Sequence, residues 1–520
     1  MKRIGIDVGG TNTDAVLIDG TQVLGAVKTP TTADVMSGVR AAIRDLGAAV
    51  PLQGIDAVMI GTTHFTNAVV ERARLERVGA IRIALPAARS LPPTVDWPDD
   101  LREAVDPLSV MVAGGHEYDG RELVPLDRAA IRDAASRIRD AGITSVGITA
   151  LFSPLTASCE EEAADIVRDV IPGARITLSH TLGRIGLLER ENVTLLNAAL
   201  QSLGVRTVAA FEEALAASGI AAPFFLTQND GTVVLAEVAA ANPVHSFASG
   251  PTNSMRGAAF LSGRDGAMVV DVGGTTSDVG SLVHGFPREA NNVVAIGGVR
   301  TLFRMPDLLP MALGGGTIID PATGTIGPRS VGYRITEKAL VFGGDTLTAT
   351  DIAVAAGRVE IGDRDRVRHL DPAFVAAMLA RIAGMVEEGV DRMKTSGSAT
   401  DLVAVGGGAF LIPDRLAGVS EVVRVAHAGV ANALGAAMAQ ISGEVDQIFS
   451  DLSRDAALAE AQGIAERRAV EAGAEPGSLK VIEVEDIPIA YLPGGARRVR
   501  ARVVGDVRER ERERERAAVA

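Results

Sequence analysis

Short apolar runs that end in glycines and polar residues recur along the chain, with helical patterns between them. Residues 57–60 and 146–152 are apolar runs of the length and composition typical of buried strands. Residues 33–46 and 128–141 carry apolar side chains three or four positions apart, which predicts amphipathic helices. The alternation of these elements predicts an α/β fold.

Two of the predicted strands lead into the same loop sequence. The copies are Asp7-Val-Gly9-Gly10-Thr11-Asn-Thr13-Asp14 and Asp271-Val-Gly273-Gly274-Thr275-Thr276-Ser-Asp278. The paired glycines allow a tight turn with exposed amides that can bind phosphate oxygens, and the carboxylate beside them can hold a hydrated magnesium ion. One copy alone would be compatible with an ordinary turn. Two copies, each after a strand, predict a duplicated fold with two phosphate loops facing one nucleotide.

Each loop is followed by further strands instead of a helix. Residues 15–19 and 23–28 follow the first loop, and residues 281–283 and 287–294 follow the second. A Rossmann glycine loop opens a helix, and a P-loop carries Gly-Lys-[Ser/Thr], so neither motif fits. Two further glycine turns, one containing Gly315 and one formed by Gly406, Gly407 and Gly408, also follow strand-like runs. The second would let the backbone approach adenosine, with a plain tight turn as the alternative.

Two polar residues are candidates for handling protons or substrate. His64 follows two threonines in a polar loop and is either a proton shuttle or substrate contact near pH 7 or a structural histidine. Asp230 follows a strand and precedes Gly231, as a catalytic base or substrate-binding carboxylate could. His116 with Glu117 is interpreted as a turn in preference to a metal pair, because no third ligand is nearby in the sequence. Cys159 is interpreted as structural.

Composition narrows the class of protein. The 520 residues are 47% hydrophobic and 22% charged, which predicts about three domains or two large ones. A net charge of -14 argues against nucleic-acid binding. The single cysteine excludes a disulfide framework within the chain and fits a reducing cytoplasm. No signal peptide is recognised, and the apolar stretch at 426–441 is too short and too polar to span a membrane.

The order of these motifs resembles the actin, hexokinase and Hsp70 superfamily, and within it the hydantoinase A / 5-oxoprolinase family. That family resemblance rests on both loops and on a further set of motifs. These are Gly61-Thr-Thr-His64-x-Thr66-Asn67, Glu189-Arg190, Asn229-Asp230-Gly231, Ser249-Gly250-Pro251 and Gly314-Gly-Gly316. The resemblance implies duplicated ribonuclease H-like (actin-like ATPase) domains with a cleft between them. The expected boundaries are 1–200, 201–440, a C-terminal helix and hairpin at 441–507, and a charged tail at 508–520.

The resemblance also implies a function. The expected activity is an ATP- and Mg²⁺-dependent hydrolase or carboxylase A subunit that activates a cyclic amide, such as a hydantoin, lactam or 5-oxoproline-like ring. Asp7 and Asp271 would hold magnesium, and the glycines and threonines of the loops would bind the nucleotide. A hydantoinase B-type subunit and a homo-oligomer are possible partners. The segment 327–351 departs from the family pattern. A sugar or small-metabolite kinase, or a non-catalytic ATP-driven switch, remains the alternative.

Overall fold

The computed structural model describes residues 1–9, 12–30, 35–182, 185–290, 294–303, 305–489 and 494–508. Its strands are Lys2–Val8, Asn12–Asp19, Gln22–Pro30, Ala57–Thr62, Val78–Leu85, Leu108–Ala113, Ser145–Ala150, Arg175–Leu178, Phe224–Thr227, Thr232–Leu235, Met268–Val272, Ser277–Val283, Phe286–Pro287, Val294–Ile296, Val299–Thr301, Leu308–Met311, Thr317–Ile319, Ile326–Ser330, Thr400–Val405, Val419–Arg424, Gln440–Phe449, Lys480–Pro488 and Arg497–Gly505. Its α-helices are Val35–Ala49, His64–Val70, Asp99–Val105, Arg128–Asp140, Ser158–Val170, Ser179–Leu182, Leu187–Ala217, Ala236–Ala241, Ser249–Ser262, Ile335–Lys338, Ala349–Ala355, Pro372–Met393, Ala431–Ala437 and Arg454–Glu471.

The first loop joins two strands of a nine-stranded sheet. Lys2–Val8 pairs antiparallel with Asn12–Asp19, which sets Asp7 opposite Asp14. On its other side Lys2–Val8 pairs parallel with Ala57–Thr62. Part of the sheet has the strand order Gln22–Pro30, Asn12–Asp19, Lys2–Val8, Ala57–Thr62, Phe224–Thr227. Three antiparallel strands followed by two parallel ones are the ribonuclease H-like arrangement that the sequence predicted.

The second loop repeats this arrangement. Met268–Val272 pairs antiparallel with Ser277–Val283, and Asp271 lies opposite Asp278. Its other neighbour is the parallel strand Thr400–Val405, followed by Val419–Arg424. The outer antiparallel partner of Ser277–Val283 is Leu308–Met311. The two sheets therefore share one topology around matching aspartates, and the prediction of duplicated α/β domains is confirmed.

The pairing of the strands shows that the first sheet continues beyond residue 200. The helix Leu187–Ala217 runs through that position without a break. Phe224–Thr227 then pairs with Ala57–Thr62, so it belongs to the first sheet. The C-terminal region also joins this sheet, because Gln440–Phe449 pairs with Thr232–Leu235 and with Arg497–Gly505. Sequence runs show the strands but not which partners they choose. The tail beyond residue 508 lies outside the described residues.

A smaller four-stranded parallel sheet is inserted after the first half's helix at residues 64–70. Its strands lie in the order Leu108–Ala113, Val78–Leu85, Ser145–Ala150, Arg175–Leu178. The helices Arg128–Asp140 and Ser158–Val170 pack on it around a core that includes Ile81 and Ile148. In the parts of the chain that the structure covers, no helix has the length and apolarity needed to cross a membrane.

Two helices rich in small residues cross between the sheets. A Cβ atom on Gly257 would lie 1.9 Å from the carbonyl oxygen of Ala431, and one on Gly435 would lie 1.8 Å from that of Asn253. Real Cβ atoms do not approach a carbonyl so closely, so only glycine permits this crossing. The contact brings Asn253 and Asn432, one from each helix, to the end of the first strand.

Candidate functional site

A cleft of about 460 Å³ opens between the two loops. The predicted nucleotide-binding residues that line it are Gly9, Gly273, Gly274, Thr275, Thr276, Gly315, Gly406, Gly407 and Gly408. Thr13 does not line the cleft, because it is fully buried between Asn12 and Asp14, which do. Gly10 and Thr11 lie outside the described residues. The structure thus gathers glycine turns separated by about 400 residues of sequence around one cleft.

The two loops are closed by equivalent backbone hydrogen bonds. The amide of Gly9 donates to the carbonyl of Asn12 at 3.0 Å, and the amide of Gly273 donates to that of Thr276 at 2.9 Å. The amides of Gly315 and Gly316 donate to the carbonyls of Gly273 and Gly274, so the third glycine turn packs on the second loop. Within the described residues, no acceptor faces the amides of Gly274 and Thr275. Such free amides at a turn form an anion-binding concavity.

Asp7 ends the first strand and lies just behind the cleft wall. It is only 4% exposed and is held by two side-chain amides. Asn253 donates to its Oδ1 at 3.1 Å and Asn432 to its Oδ2 at 3.0 Å. Burial raises the pKa of Asp7 to about 6, and the charges of Asp14 and Asp271 add to this effect. Asp7 therefore ionises fully only above that pH or beside a cation.

Asp14 and Lys28 line the cleft in front of Asp7. The Lys28 ammonium lies 2.6 Å from Oδ1 of Asp14, and the amide of Asn432 donates to Oδ2 at 2.8 Å. Asn432 thus bridges Asp7 and Asp14. This carboxylate is therefore partly neutralised from the cleft side and tied to Asp7 from behind.

Asp271 is the matching aspartate of the second loop, and it faces the cleft directly. Burial raises its pKa, and a hydrogen bond from Ser254 opposes the rise. A Cβ atom on Gly406 would lie 2.3 Å from Oδ1 of Asp271, and Gly406 has a φ of +89°. The glycine turn at 406–408 therefore closes directly over this carboxylate. Asp278, opposite Asp271 in the sheet, has its pKa raised to about 6 by burial and by the charge of Asp271.

Part of the cleft wall is apolar. Ile335, Phe342, Ile361 and Phe410 line it together with the glycines at 406–408. A flat hydrophobic ring system fits beside such side chains, and the free amides of Gly274 and Thr275 and the carboxylates of Asp14 and Asp271 line the same cleft. The cleft therefore has the mixed chemistry that a nucleotide needs.

The two candidate proton-handling residues lie elsewhere. His64 begins the helix His64–Val70 and lines neither the cleft nor the larger cavity described next, and burial lowers its pKa. Asp230 lines a second cavity, of about 610 Å³. It forms an ion pair with Arg502 and accepts a hydrogen bond from the Thr232 hydroxyl at 2.6 Å. Neither His64 nor Asp230 therefore lines the cleft between the loops.

His116 and Cys159, interpreted as structural, contact each other. Nδ1 of His116 lies 3.8 Å from Sγ of Cys159, and the backbone of His116 forms a bridge with Glu122. Burial raises the pKa of the Cys159 thiol, which disfavours a reactive thiolate. Among the described residues, no group of three His, Cys, Asp or Glu side chains is placed to hold a metal ion.

Comparison with models of protein families identifies the family of the chain. The model described as "Hydantoinase/oxoprolinase N-terminal region" matches residues 3–171, and the model described as "Hydantoinase/oxoprolinase" matches residues 190–363. Together they span well over half of the chain. The chain belongs to the hydantoinase/oxoprolinase family. Its first loop lies in the N-terminal family region and its second loop in the following one, while the glycine turn at 406–408 and Asn432 lie beyond both.

Curated relatives of this family member include subunits of two different enzymes. The acetophenone carboxylase gamma subunit of Aromatoleum aromaticum is 27% identical over 400 residues, which are 69% of this chain and 53% of the relative. The caprolactamase subunit alpha of Pseudomonas jessenii is 27% identical over 386 residues, 69% of this chain and 55% of the relative. The matched region is therefore only a little over half the length of these relatives.

Solved structures share the fold. The ATP-dependent caprolactamase from Pseudomonas jessenii superposes with a TM-score of 0.75 at 20% identity, over 97% of this chain and 88% of that one. A nucleotide-free acetone carboxylase superposes with a TM-score of 0.67 at 18% identity, over 98% and 89%. The inserted sheet and the C-terminal hairpin of this hydantoinase/oxoprolinase family member are thus included in the shared architecture.

Several residues in or behind the cleft wall, including Asp14, Lys28, Asn253 and Asn432, were not predicted as site residues from sequence. Asp14 was present in the repeated motif, so its recurrence as Asp278 was a usable signal. Lys28 is one of the few cations on the first hairpin, but only strand pairing shows that it faces Asp14. Asn253 and Asn432 belong to helices distant in sequence, and no local pattern indicates that they meet at Asp7.

Proposed function

We propose that this chain is an ATP- and Mg²⁺-dependent subunit that activates the carbonyl oxygen of a cyclic amide by phosphorylation. The observation that carries the proposal is the pairing of two matching glycine loops, each with its aspartate, across one cleft. The apolar side chains of Phe342 and Phe410 on the cleft wall would pack against the adenine, and the amides of Gly274 and Thr275 would bind phosphate oxygens.

The carboxylates around the cleft fit magnesium. Mg²⁺ is usually held through one or two carboxylates, substrate phosphates and several waters, without a protein cage. The charge of Asp14 raises the pKa of both Asp7 and Asp271, and that of Asp271 raises the pKa of Asp7, so a cation between these carboxylates would relieve their repulsion. Asp7 and Asp271 would hold the ion, which when bound would neutralise charge on the transferring phosphoryl group.

The protein's own contribution would be positioning and charge balance. Asn253 and Asn432 orient Asp7, and Lys28 adds a positive charge at the cleft wall. The glycine turn at 406–408 closes over Asp271 and keeps side chains out of the space that the phosphates need. Phosphoryl transfer needs such preorganised electrostatics more than covalent help from the protein.

The substrate class follows from the curated relatives. One is a caprolactamase subunit, which favours a lactam or related ring. The other is an acetophenone carboxylase subunit, which favours a ketone as a second candidate. In both cases the shared first step would be transfer of a phosphoryl group to a carbonyl or enolate oxygen. Both relatives are named as subunits, so we also propose that a second subunit completes the reaction.

The test is ATP turnover by the purified chain with Mg²⁺ and one candidate acceptor at a time. Hydantoin, 2-pyrrolidone, 5-oxoproline, ε-caprolactam and acetophenone form the panel, and glucose is the kinase control. Released phosphate and phosphorylated product are measured separately. Turnover stimulated by a ring amide supports the proposal, and stimulation by acetophenone alone selects the ketone alternative. A stable phosphorylated sugar would assign the chain to the kinases and contradict both.

The Asp271→Asn variant provides the matched control. It preserves the shape of the side chain and removes the charge, so acceptor-stimulated turnover should fall by about 10² or more. Circular dichroism and the thermal midpoint check that the variant is folded. Undiminished turnover in a folded variant would contradict the assigned role of the cleft.

A further inference from the structure

The second cavity lies away from the nucleotide cleft, at the end of the strand Phe224–Thr227. Its volume of about 610 Å³ is in the range of sites for small molecules. The residues that shape it include His180, Gln228, Asn229, Asn242, His245 and Phe303. It is connected to the cleft by the helix Ser249–Ser262, since Asn253 binds both Asp7 and Thr227, two residues before Asn229.

A buried carboxylate orients His180 on the cavity wall. Glu160 is fully buried, and its Oε2 lies 2.8 Å from Nδ1 of His180. It also accepts from the amides of Ala150 and His180 and from the Ser179 hydroxyl. Burial works against ionisation, but hydrogen bonds from His180, Ser153 and Ser179 outweigh it and lower the pKa of Glu160.

This carboxylate fixes which ring nitrogen carries the proton. An ionised carboxylate only accepts hydrogen bonds, so Nδ1 of His180 must donate to Glu160. In the neutral ring, Nε2 is then left with a lone pair. His180 therefore offers the cavity a hydrogen-bond acceptor that is held in a fixed orientation, as in carboxylate–histidine pairs elsewhere.

Asn229 gives an independent sign of a ligand. The residue is 5% exposed and lines the cavity, and its backbone amide donates to the carbonyl of His245 at 2.7 Å. Its side-chain Nδ2 has no acceptor in the part of the chain that the structure describes. Buried amide donors are almost always satisfied in native proteins, so a carbonyl oxygen from a ligand is a suitable partner.

Several other charged side chains on the wall already have partners within the protein. Asp230 forms an ion pair with Arg502, and Asp446 accepts two hydrogen bonds from Arg498, at 2.7 and 2.6 Å. Arg468 donates to the carbonyl of Glu444 at 2.6 Å. With Leu302, Phe303 and Val238 also on the wall, the cavity suits a neutral ring with polar and apolar parts better than an ion.

We propose that this cavity binds the cyclic amide, with the ring N–H donating to Nε2 of His180 and the ring carbonyl accepting from Asn229. The inference rests on the proposed function for the class of ligand, but the binding it describes does not require ATP. Glu160 is a positioning residue, because it acts only through His180.

Binding is measured without nucleotide, by ligand-observed NMR titration of 2-pyrrolidone, hydantoin and ε-caprolactam. At least one should bind the wild-type chain. N-methyl-2-pyrrolidone should bind about tenfold more weakly than 2-pyrrolidone, because it lacks the N–H that donates to His180. His180→Asn keeps a donor for Glu160 but withdraws the acceptor, so it should reduce this preference to about twofold or less. The exposed His369 supplies the control His369→Asn, which should leave the preference unchanged.

Filling the cavity with a larger side chain tests whether the amide binds there. Val238 is 47% exposed and lines the cavity, so Val238→Trp can occupy the space with little effect on folding. It should weaken amide binding at least about tenfold, whereas Val205→Trp on the outer face of the helix Leu187–Ala217 should not. Failure of all three amides to bind the wild type, or unchanged binding by Val238→Trp, would overturn the inference.

The two proposals can fail separately. Amide binding that depends on Val238 and His180, in a chain that shows no ATP turnover with any acceptor, would support the cavity assignment and contradict the proposed phosphorylation. ATP turnover stimulated by a ring amide, with the Val238→Trp variant showing an unchanged KM, would support the phosphorylation and overturn the cavity assignment.

Discussion

The two glycine loops are closed by equivalent hydrogen bonds but lie in two electrostatic environments. Asp7 is held behind the cleft by amides from two crossing helices, whereas Asp271 faces the cleft with a serine beside it. Asp14 has Lys28 as a counter-charge, whereas the sheet partner opposite Asp278 is Pro310. Duplication thus preserved the turn, and the surroundings of the carboxylates diverged.

This difference teaches that matching motifs need not have matching roles. The first loop's carboxylates are tied into a fixed hydrogen-bond network, so Asp7 would hold the cation in a fixed orientation from behind the cleft wall. The second loop's aspartate is open to the cleft, which suits direct participation in cation binding. Substitutions at equivalent positions should therefore have unequal effects, and the following tests are arranged from the largest expected effect to the smallest.

The largest effect is expected where a methyl group would strike a carboxylate. A Cβ atom at Gly61 would lie 2.4 Å from Oδ1 of Asp7, and one at Gly406 would lie 2.3 Å from Oδ1 of Asp271. Gly406 also has a positive φ, which adds strain. We expect Gly406→Ala to lower the free energy of unfolding by about 3–5 kcal/mol and Gly61→Ala by about 2–3 kcal/mol.

Gly407→Ala is the control, since no atom lies within 4 Å of its added Cβ. It should change the free energy of unfolding by no more than about 0.5 kcal/mol. Urea denaturation of the nucleotide-free chain measures all three variants. A Gly406→Ala variant as stable as Gly407→Ala would contradict the close approach of the turn to Asp271.

The second test compares the last aspartate of each loop. Asp14→Asn leaves Lys28 without its carboxylate and should destabilise the chain by about 1–3 kcal/mol at pH 8. Asp278→Asn removes a buried charge whose neighbour is Asp271, so it should stabilise the chain by about 1–2 kcal/mol at that pH. Urea denaturation without Mg²⁺ or nucleotide measures the change in the free energy of unfolding for both variants. Two changes of the same sign would contradict the proposed difference between the surroundings of Asp14 and Asp278.

The pH dependence of the Asp278 effect has a definite sign. Its pKa of about 6 in the folded chain exceeds the ordinary value of 3.8, so the folded state binds a proton more readily than the unfolded one. The loss of stability caused by ionised Asp278 is complete above pH 6 and disappears towards pH 4. The stabilisation by Asp278→Asn should therefore shrink as the pH falls from 8 to 5. A stabilisation that grows over this range would refute the assignment.

The smallest effects are expected for substitutions of Asn432 and Ser254, which donate hydrogen bonds to Asp7 and Asp271 respectively. Asn432→Ala removes a donor that lowers the pKa of Asp7, so the acid limb of ATP turnover should move up by about one pH unit. Ser254→Ala removes a donor to Asp271 and should move it by about half as much, because Asp271 faces the open cleft. Turnover measured between pH 5 and 8 checks both, and an unshifted limb in Asn432→Ala would count against the bridge.

Local sequence was sufficient to predict both sheets' central hairpins. The Asp-Val-Gly-Gly-Thr repeat after apolar runs predicted the loops and their duplication, because glycine turns and buried strands have strong local signals. The placement of Phe224–Thr227 in the first sheet was not predicted, since long-range pairing leaves no local pattern. For the same reason the boundary expected at residue 200 does not coincide with the change between sheets.

The site was predicted unevenly for a similar reason. Residues inside the repeated loops were identified, whereas Asn253 and Asn432 reach Asp7 only because Gly257 and Gly435 let two helices cross. Asp230 was singled out by its position after a strand, but its ion pair with Arg502, 272 residues away, could not be predicted. His180 was overlooked because its partner Glu160 lies on another helix.

The most direct test of the account is the Mg²⁺ dependence of ATP binding. Isothermal titration should compare the wild-type chain with Asp7→Asn, Asp271→Asn and the double variant, each with Mg²⁺ and with EDTA. We predict that Mg²⁺ tightens ATP binding to the wild type by at least about tenfold, that Asp271→Asn loses most of this gain and that Asp7→Asn loses a smaller part of it. Wild-type Mg²⁺ dependence in the double variant would contradict the claim that the two loops form one nucleotide site.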